Sequence, residues 1–373
     1  MRIEILTPQE AGTARKYQMC RLWLGLSASS IEFIITLIFW LHAPTDWFRQ
    51  HGDAIVISGA LYGIALVLFR HIAVFPVGYL SGFSLPHQVG LSNETLGGWF
   101  RDWSIGLLIA TLLGGMASGA IVYFFTVWPR AWWWILSISG IFFSLFMGLV
   151  APLILMPIFF KFKRLEDAEL NGRLDALLNR AGVRVRDGIW EIDMSRRTMA
   201  SNAALIGWGP SRSIVLSDTL SDNEPEEIEA IVAHEIAHHV GRHVGLQFAG
   251  MGVMLIAALY LADLIFSVPE MFIFIGVPVP KQGDPSVVGA LWFFITLGNF
   301  FTSPFLLWVS RQLEYWCDRY AARITGGGGA LAGALEKLCR KNMADPEPPG
   351  WVVVLFHSHP PLGERIRRVR EIH

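Results

Sequence analysis

Six stretches of the chain stay apolar for long enough to cross a hydrocarbon layer: Cys20–Leu41, Ala54–Leu80, Ser104–Trp128, Trp132–Phe160, Val244–Val268 and Val287–Val309. About 20 apolar residues suffice for one crossing, and the fourth stretch is long enough to tilt or to project past the layer. Between the fourth and fifth stretches the pattern changes. Leu170, Leu174, Leu177 and Leu178 recur at helical spacing, with Gly182 where a C-cap belongs. "GIWEID" (188–193), "ASNAALIG" (200–207) and "SIVLSD" (213–218) alternate like short strands of a small sheet. A helix is then predicted from Asn223 as N-cap, with Pro225 in its first turn and Glu226 three residues on. A polar region, 310–373, follows the sixth stretch. It opens on a further helical segment and contains a glycine run at 326–329 and the loop "DPEPPG". This divides the chain into a four-span region (1–160), a folded insert (161–243), two further spans (244–309) and a C-terminal region (310–373).

Composition supports a membrane class: 53% of residues are hydrophobic and 16% charged, where soluble domains carry nearer a quarter. A net charge of −1 offers nothing to nucleic acid. Cys20, Cys317 and Cys339 are too scattered for a disulfide framework or a CxxC site. The first apolar run is too long for a cleavable signal. Basic residues set the orientation. Arg15, Lys16 and Arg21 precede the first span; Lys161, Lys163, Arg164, Arg173, Arg180, Arg184 and Arg186 follow the fourth; Arg311, Arg319, Arg323, Lys337, Arg340 and Lys341 follow the sixth. The loops 42–53 and 269–286 carry one basic residue each, Arg49 and Lys281. Both termini and the insert are therefore expected in the cytoplasm. Glu32 and Asp263 lie inside spans, where an ionisable group either lines an aqueous chamber or pairs with a neighbouring helix.

The chemistry concentrates in "AHEIAHHVGRH", which holds four of the chain's 11 histidines. His234 and His238 are i and i+4, so both rings leave one helix face, with Glu235 beside them. This is the HExxH pattern, in which two neutral imidazoles hold Zn²⁺ and the glutamate takes a proton from a zinc-activated water. A catalytic zinc takes a third protein ligand and keeps an open position. The variant HExxHxxGxxH does not supply that ligand, because its last position is Val244 and His243 is one residue short. The best source is "SRQLEYWCDRYAARITG", where Glu314 and Asp318 share a face at i and i+4; their plainer alternative is a solvated face pairing with Arg311 and Arg319. His357 and His359 precede Pro360 and Pro361. They are either turn histidines or a donor to a developing oxyanion.

With these motifs in this order, the chain resembles the type I CAAX prenyl endopeptidases, integral-membrane zinc metalloproteases of the gluzincin kind. "HQVGLSNETLGGWFRDW", "LVAPLILMPIFFKFKRLEDAEL", "SNAALIGWGPSRSIVLSDTL", "AHEIAHHVGRH", "SRQLEYWCDRYA" and "HSHPPLGERI" each resemble a family segment, and the form HExxHxxxxH accommodates His243. The resemblance implies a ring of tilted helices around an intramembrane chamber, capped by an α+β zinc protease domain. It implies His234, His238 and Glu314 as ligands of one Zn²⁺, Glu235 as general base, Asp318 and Arg365 supporting the site, Asn202 holding an extended substrate beside an edge strand, and His359 assisting the oxyanion. The family usually has seven spans, and Ala237 stands where it often has glycine. The short chain points to a bacterial homologue, in the inner membrane; a eukaryotic one would sit in the endoplasmic reticulum membrane.

The activity expected is endopeptidase cleavage of a peptide or protein, embedded in lipid. The substrate is either the C-terminal tail of a prenylated or similar protein, or, as in heat-shock quality-control proteases, damaged membrane protein. A non-catalytic scaffold or transporter with structural zinc is the alternative from another class. It has no use for Glu235, and structural sites close with four protein ligands.

Overall fold

The computed structural model describes residues 5–185, 188–207 and 212–372. Arg186 and the residues 208–211 inside the predicted sheet lie outside the described residues. Among those described, six helices are long and apolar enough to cross a membrane, four of them before residue 160.

The first, α1 (Pro8–His42), begins well before the apolar block. A reciprocal cap sets its start: the Glu10 N–H donates to Thr7 Oγ1 at 3.2 Å, and the Thr7 N–H donates to the Glu10 carboxylate at 2.8 Å. Its polar opening turns dock on the C-terminal region, where Arg15 pairs with Asp345 at 3.0 Å and Gln18 donates to the Met343 carbonyl at 2.9 Å. α2 (Ile55–Tyr79) continues through a wider turn to Gln88. α3 (Leu96–Val127) packs on it through small residues. A Cβ at Gly63 would lie 2.1 Å from Ser118 Oγ and 2.9 Å from the Gly114 carbonyl, so only glycine permits this approach. α4 (Trp132–Val150) continues to Phe159 through another wide turn, 151–155. Both intramembrane acids are paired. Glu32 meets Arg70 on α2 at 2.7 Å, and Asp263 accepts from Trp132 Nε1 at 2.6 Å, as the cost of a lone polar group in hydrocarbon requires.

After β1 (Phe162–Arg164), which sequence patterning did not mark, α5 (Ala168–Ala181) is capped by Asp167 and ended by left-handed Gly182, φ 65°. β2 (Ile189–Ile192), β3 (Ala203–Ile206) and β4 (Ser213–Ser217) complete a sheet of order β1-β2-β4-β3. β2 and β4 are parallel and the other pairs antiparallel, which leaves β3 at an edge. α6 (Pro225–Val240) carries the histidine motif. Its N-cap is Glu224, with Glu227 closing the box, one residue beyond the predicted Asn223 and Glu226. Asn223 is buried instead, its amide donating to Glu227 at 3.2 Å. Then follow α7 (His243–Phe266), α8 (Ser286–Ile324), α9 (Gly329–Lys341), α10 (Gly350–Phe356) and α11 (Leu362–Arg370).

Two cores result. One joins the aromatic faces of the spans around Trp40, Tyr62 and Trp132, with Phe272 added from the short helix Pro269–Ile275. The other is assembled from the insert and the C-terminal region together, through Leu174, Leu177, Ile214, Ile236, Leu331 and Ile366. Segments separated by two membrane spans thus form one body, and the site lies within it.

Candidate metal centre

α6 and the membrane-distal end of α8 face one another. α6 presents His234 and His238, whose rings lie 5.2 Å apart at 77°. α8 presents Glu314 between them: Oε2 is 3.3 Å from His234 Nε2, and Oε1 is 3.3 Å from His238 Nε2. Donors about 2.0–2.1 Å from the centre of a tetrahedron sit roughly 3.3–3.4 Å from one another, so these separations suit zinc. Glu314 Oε2 is buried without any hydrogen bond, an arrangement costly for an anion unless a cation sits beside it. The imidazole of His234 tells the same story. Burial pushes its pKa down, but the carboxylates of Asp318 and Glu314 outweigh burial and raise it to about 9. The donor set is built around positive charge.

The support behind His234 is a buried ion pair. His234 Nδ1 is 2.9 Å from Asp318 Oδ1, which fixes the proton on Nδ1 and turns Nε2 toward Glu314. Arg365 donates to the same carboxylate from Nε at 2.9 Å and Nη2 at 2.7 Å, and its Nη1 lies 3.5 Å from Glu314 Oε2. Asp318 and Glu314 therefore do not form the solvated face open to them in the sequence. Arg311 is buried too, but donates to the carbonyls of Val353 and His357 at 2.9 and 2.7 Å, holding the histidine–proline segment against α8. There His359 Nε2 comes within 3.4 Å of Glu314 Oε1, while Ser358 Oγ lies 2.9 Å from its Nδ1.

A cavity of about 300 Å³ opens over these groups, lined by Asn202, Glu235, His359 and Asn342 among others. Burial raises the Glu235 carboxyl above its ordinary pKa. Asn202 is exposed to the cavity at the head of β3. Its Oδ1 accepts from the Ala203 N–H at 2.9 Å, so its amide N–H₂ is the end available to another chain. The outer edge of β3 faces α6, and the Leu205 carbonyl accepts from His239 Nε2 at 3.2 Å. Asn342 pins this entry, accepting from the Ser201 N–H at 3.0 Å and donating to its carbonyl at 3.3 Å. Sequence reasoning missed Asn342 and Ser358, since neither belongs to a spaced motif, and read Arg311 only as a partner for the acids of its own helix. It also missed Cys317, whose sulfur belongs to a group with His234 and His238 in which ligand atoms all lie within 4.8 Å. That thiol meets His243 Nδ1 at 3.5 Å, whereas Glu314 meets both Nε2 atoms.

The sequence model described as "Peptidase family M48" matches residues 164–373. The chain belongs to this family. A second model, described as "CAAX prenyl protease N-terminal, five membrane helices", matches residues 3–161, where four candidate spans occur among the described residues. "Uncharacterized metalloprotease YhfN" of Bacillus subtilis is 24% identical across 98% of this chain and 87% of the relative. "CAAX prenyl protease 1" of Saccharomyces cerevisiae is 29% identical across 78% of this chain and 67% of the relative. The fold matches that titled "Crystal Structure of S. mikatae Ste24p" with a TM-score of 0.85 at 24% identity, covering 98% and 90% of the two chains. The protein is a membrane-embedded metalloprotease of the CAAX prenyl protease type.

Proposed function

We propose that this M48 enzyme is a zinc endopeptidase that trims the C-terminal tail of a prenylated or similarly lipid-bearing protein, with its catalytic body on the cytosolic side. The observation that carries the zinc assignment is the buried Glu314 carboxylate, whose two oxygens each lie 3.3 Å from one imidazole Nε2, His234 and His238 in turn, at tetrahedral spacing, with Oε2 lacking any hydrogen bond. His234, His238 and Glu314 would hold the metal, which when bound would polarise the scissile carbonyl and acidify a water. Glu235 takes the proton from the attacking water and returns it to the leaving amine. His359, with Ser358 donating to Nδ1, aims its Nε2–H at the oxygen that becomes negative. Asn202 donates its amide N–H₂ to the backbone of a substrate lying along β3. A second cavity of about 840 Å³, which shares His359, Leu362 and Arg365 with the first, provides room for the rest of the substrate. The basic clusters flanking the spans support the cytosolic placement.

Metal analysis of the purified full-length chain, paired with cleavage of a prenylated CAAX peptide, tests the reading. Glu314→Ala should lose bound zinc together with activity, as should His238→Ala; a Glu314→Ala protein with full zinc would remove it from the ligand set. One fixed cleavage position supports tail processing, whereas many positions in an unfolded membrane protein would mark quality control. Asn202→Ala should keep its zinc and lower kcat/KM by about 1–3 kcal/mol of transition-state binding. Loss of zinc in that variant would make Asn202 structural.

A further inference from the structure

Of the two motif histidines outside the ligand set, His239 reaches the Leu205 carbonyl, which leaves His243 without a role so far. It opens α7, yet its ring is buried and folded back against α6. The backbone makes this possible at two positions. Arg242 adopts a left-handed conformation, φ 54°, between the helices. At Gly241 a Cβ would lie 2.4 Å from His243 Nε2. The ring is held on the other sides as well: edge-on to Trp316 at 4.9 Å and to His238 at 5.4 Å. Its Nδ1 lies 3.3 Å from His238 Nδ1 and 3.5 Å from Cys317 Sγ.

We infer that His243 is the positioning residue for His238, accepting the His238 Nδ1–H on its own bare Nδ1 so that His238 Nε2 is fixed toward Glu314. This role for His243 rests on the proposed ligand set. If Nε2 of His238 meets the metal, the ring's proton must sit on Nδ1, and a buried N–H needs an acceptor. His243 Nδ1 supplies it. Cys317 Sγ lies 3.5 Å from the same nitrogen and closes that side of the ring, so the His243 ring cannot swing away from His238. The two ligand histidines are thus held differently. His234 leans on the charged Asp318–Arg365 pair; His238 leans on a neutral imidazole whose place depends on Gly241 and Cys317. The spacing that fails the HExxHxxGxxH pattern by one residue is what puts His243 behind a ligand.

The test is zinc affinity of the full-length, detergent-purified chain, measured by competition with a chromophoric chelator, independent of catalysis. Losing the partner of a ligating histidine typically costs 10–100-fold in metal affinity. His243→Phe, which keeps a ring but has no acceptor, should weaken zinc by that factor. His243→Asn, whose Oδ1 restores an acceptor near the position of Nδ1, should recover most of it. Gly241→Ala, which displaces the ring without touching a donor, should behave like His243→Phe. Wild-type zinc affinity in His243→Phe, or equal losses in the Phe and Asn variants, would overturn the inference. His238→Ala separates the two readings: if it retains zinc, the ligand set itself is wrong; if it loses zinc while His243→Phe does not, only the role of His243 fails.

Discussion

Glu235→Gln is expected to abolish peptide hydrolysis while leaving zinc content and thermal stability near those of the wild type. Glu235 lines the cavity beside His234, His238 and Glu314, yet no ion pair or hydrogen bond to a neighbouring side chain holds it among the described contacts. Glutamine keeps its size and its capacity to hydrogen-bond a water but cannot accept a proton. General-base loss typically slows a reaction about 10² to 10⁴-fold, and a residue that also delivers the proton to the leaving amine is used twice. Burial, which raises the carboxyl, moves it toward a value at which it can both take and give. The measurement is single-turnover cleavage alongside metal analysis. Cleavage at close to the wild-type rate would remove Glu235 from the mechanism. Loss of zinc would show that it is a ligand and that Glu314 has been misplaced.

The two kinds of periodicity in the sequence differ in what they reveal. Apolar blocks marked the six helices that are long and apolar enough to cross a membrane among the described residues, because a lone apolar run of that length satisfies its own backbone in hydrocarbon only as a helix. They gave the ends poorly, because α1 and α8 run on as polar helices beyond the lipid, to Pro8 and Ile324. The histidine spacing placed His234 and His238 on one face, and the i, i+4 acids placed Glu314 and Asp318 on another. That the two faces meet is a tertiary fact, and Arg365, 47 residues from Asp318, could be tied to it only through resemblance. The supports of the site were the least legible. Cys317 read as a scattered thiol, Arg311 as a partner for acids when it clamps two carbonyls, and β1 is too short to show a period. Glu32 and Asp263 illustrate the limit in another way. The sequence offered water or a partner, and the partners, Arg70 and Trp132, lie 38 and 131 residues away.

Arg365→Met should destabilise the metal-free protein by about 3–5 kcal/mol, the cost of removing one partner from a buried ion pair. Asp318 accepts both guanidinium hydrogen bonds, and Asp318, Glu314 and Arg365 are all at most 7% exposed. Burial disfavours the guanidinium charge, but Asp318 outweighs it and holds the pKa up. Methionine preserves much of the side chain's length and apolar stem, so packing loss is small and the effect isolates the charge. Without Arg365, two carboxylates face each other with only the His234 imidazole between them. Replacing both partners, Arg365→Met with Asp318→Leu, should recover most of the stability, because an apolar pair of similar volume is often neutral relative to a buried ion pair. Zinc affinity should behave differently. Asp318 also holds the Nδ1 proton of His234, so the double variant should remain about 10–100-fold weaker for zinc even as its unfolding midpoint returns. Chemical denaturation of the chelated protein and chelator competition together read the two quantities. If Arg365→Met unfolds at the wild-type denaturant concentration, the pair contributes nothing to the fold; if the double variant regains zinc along with stability, His234 needs no carboxylate behind it.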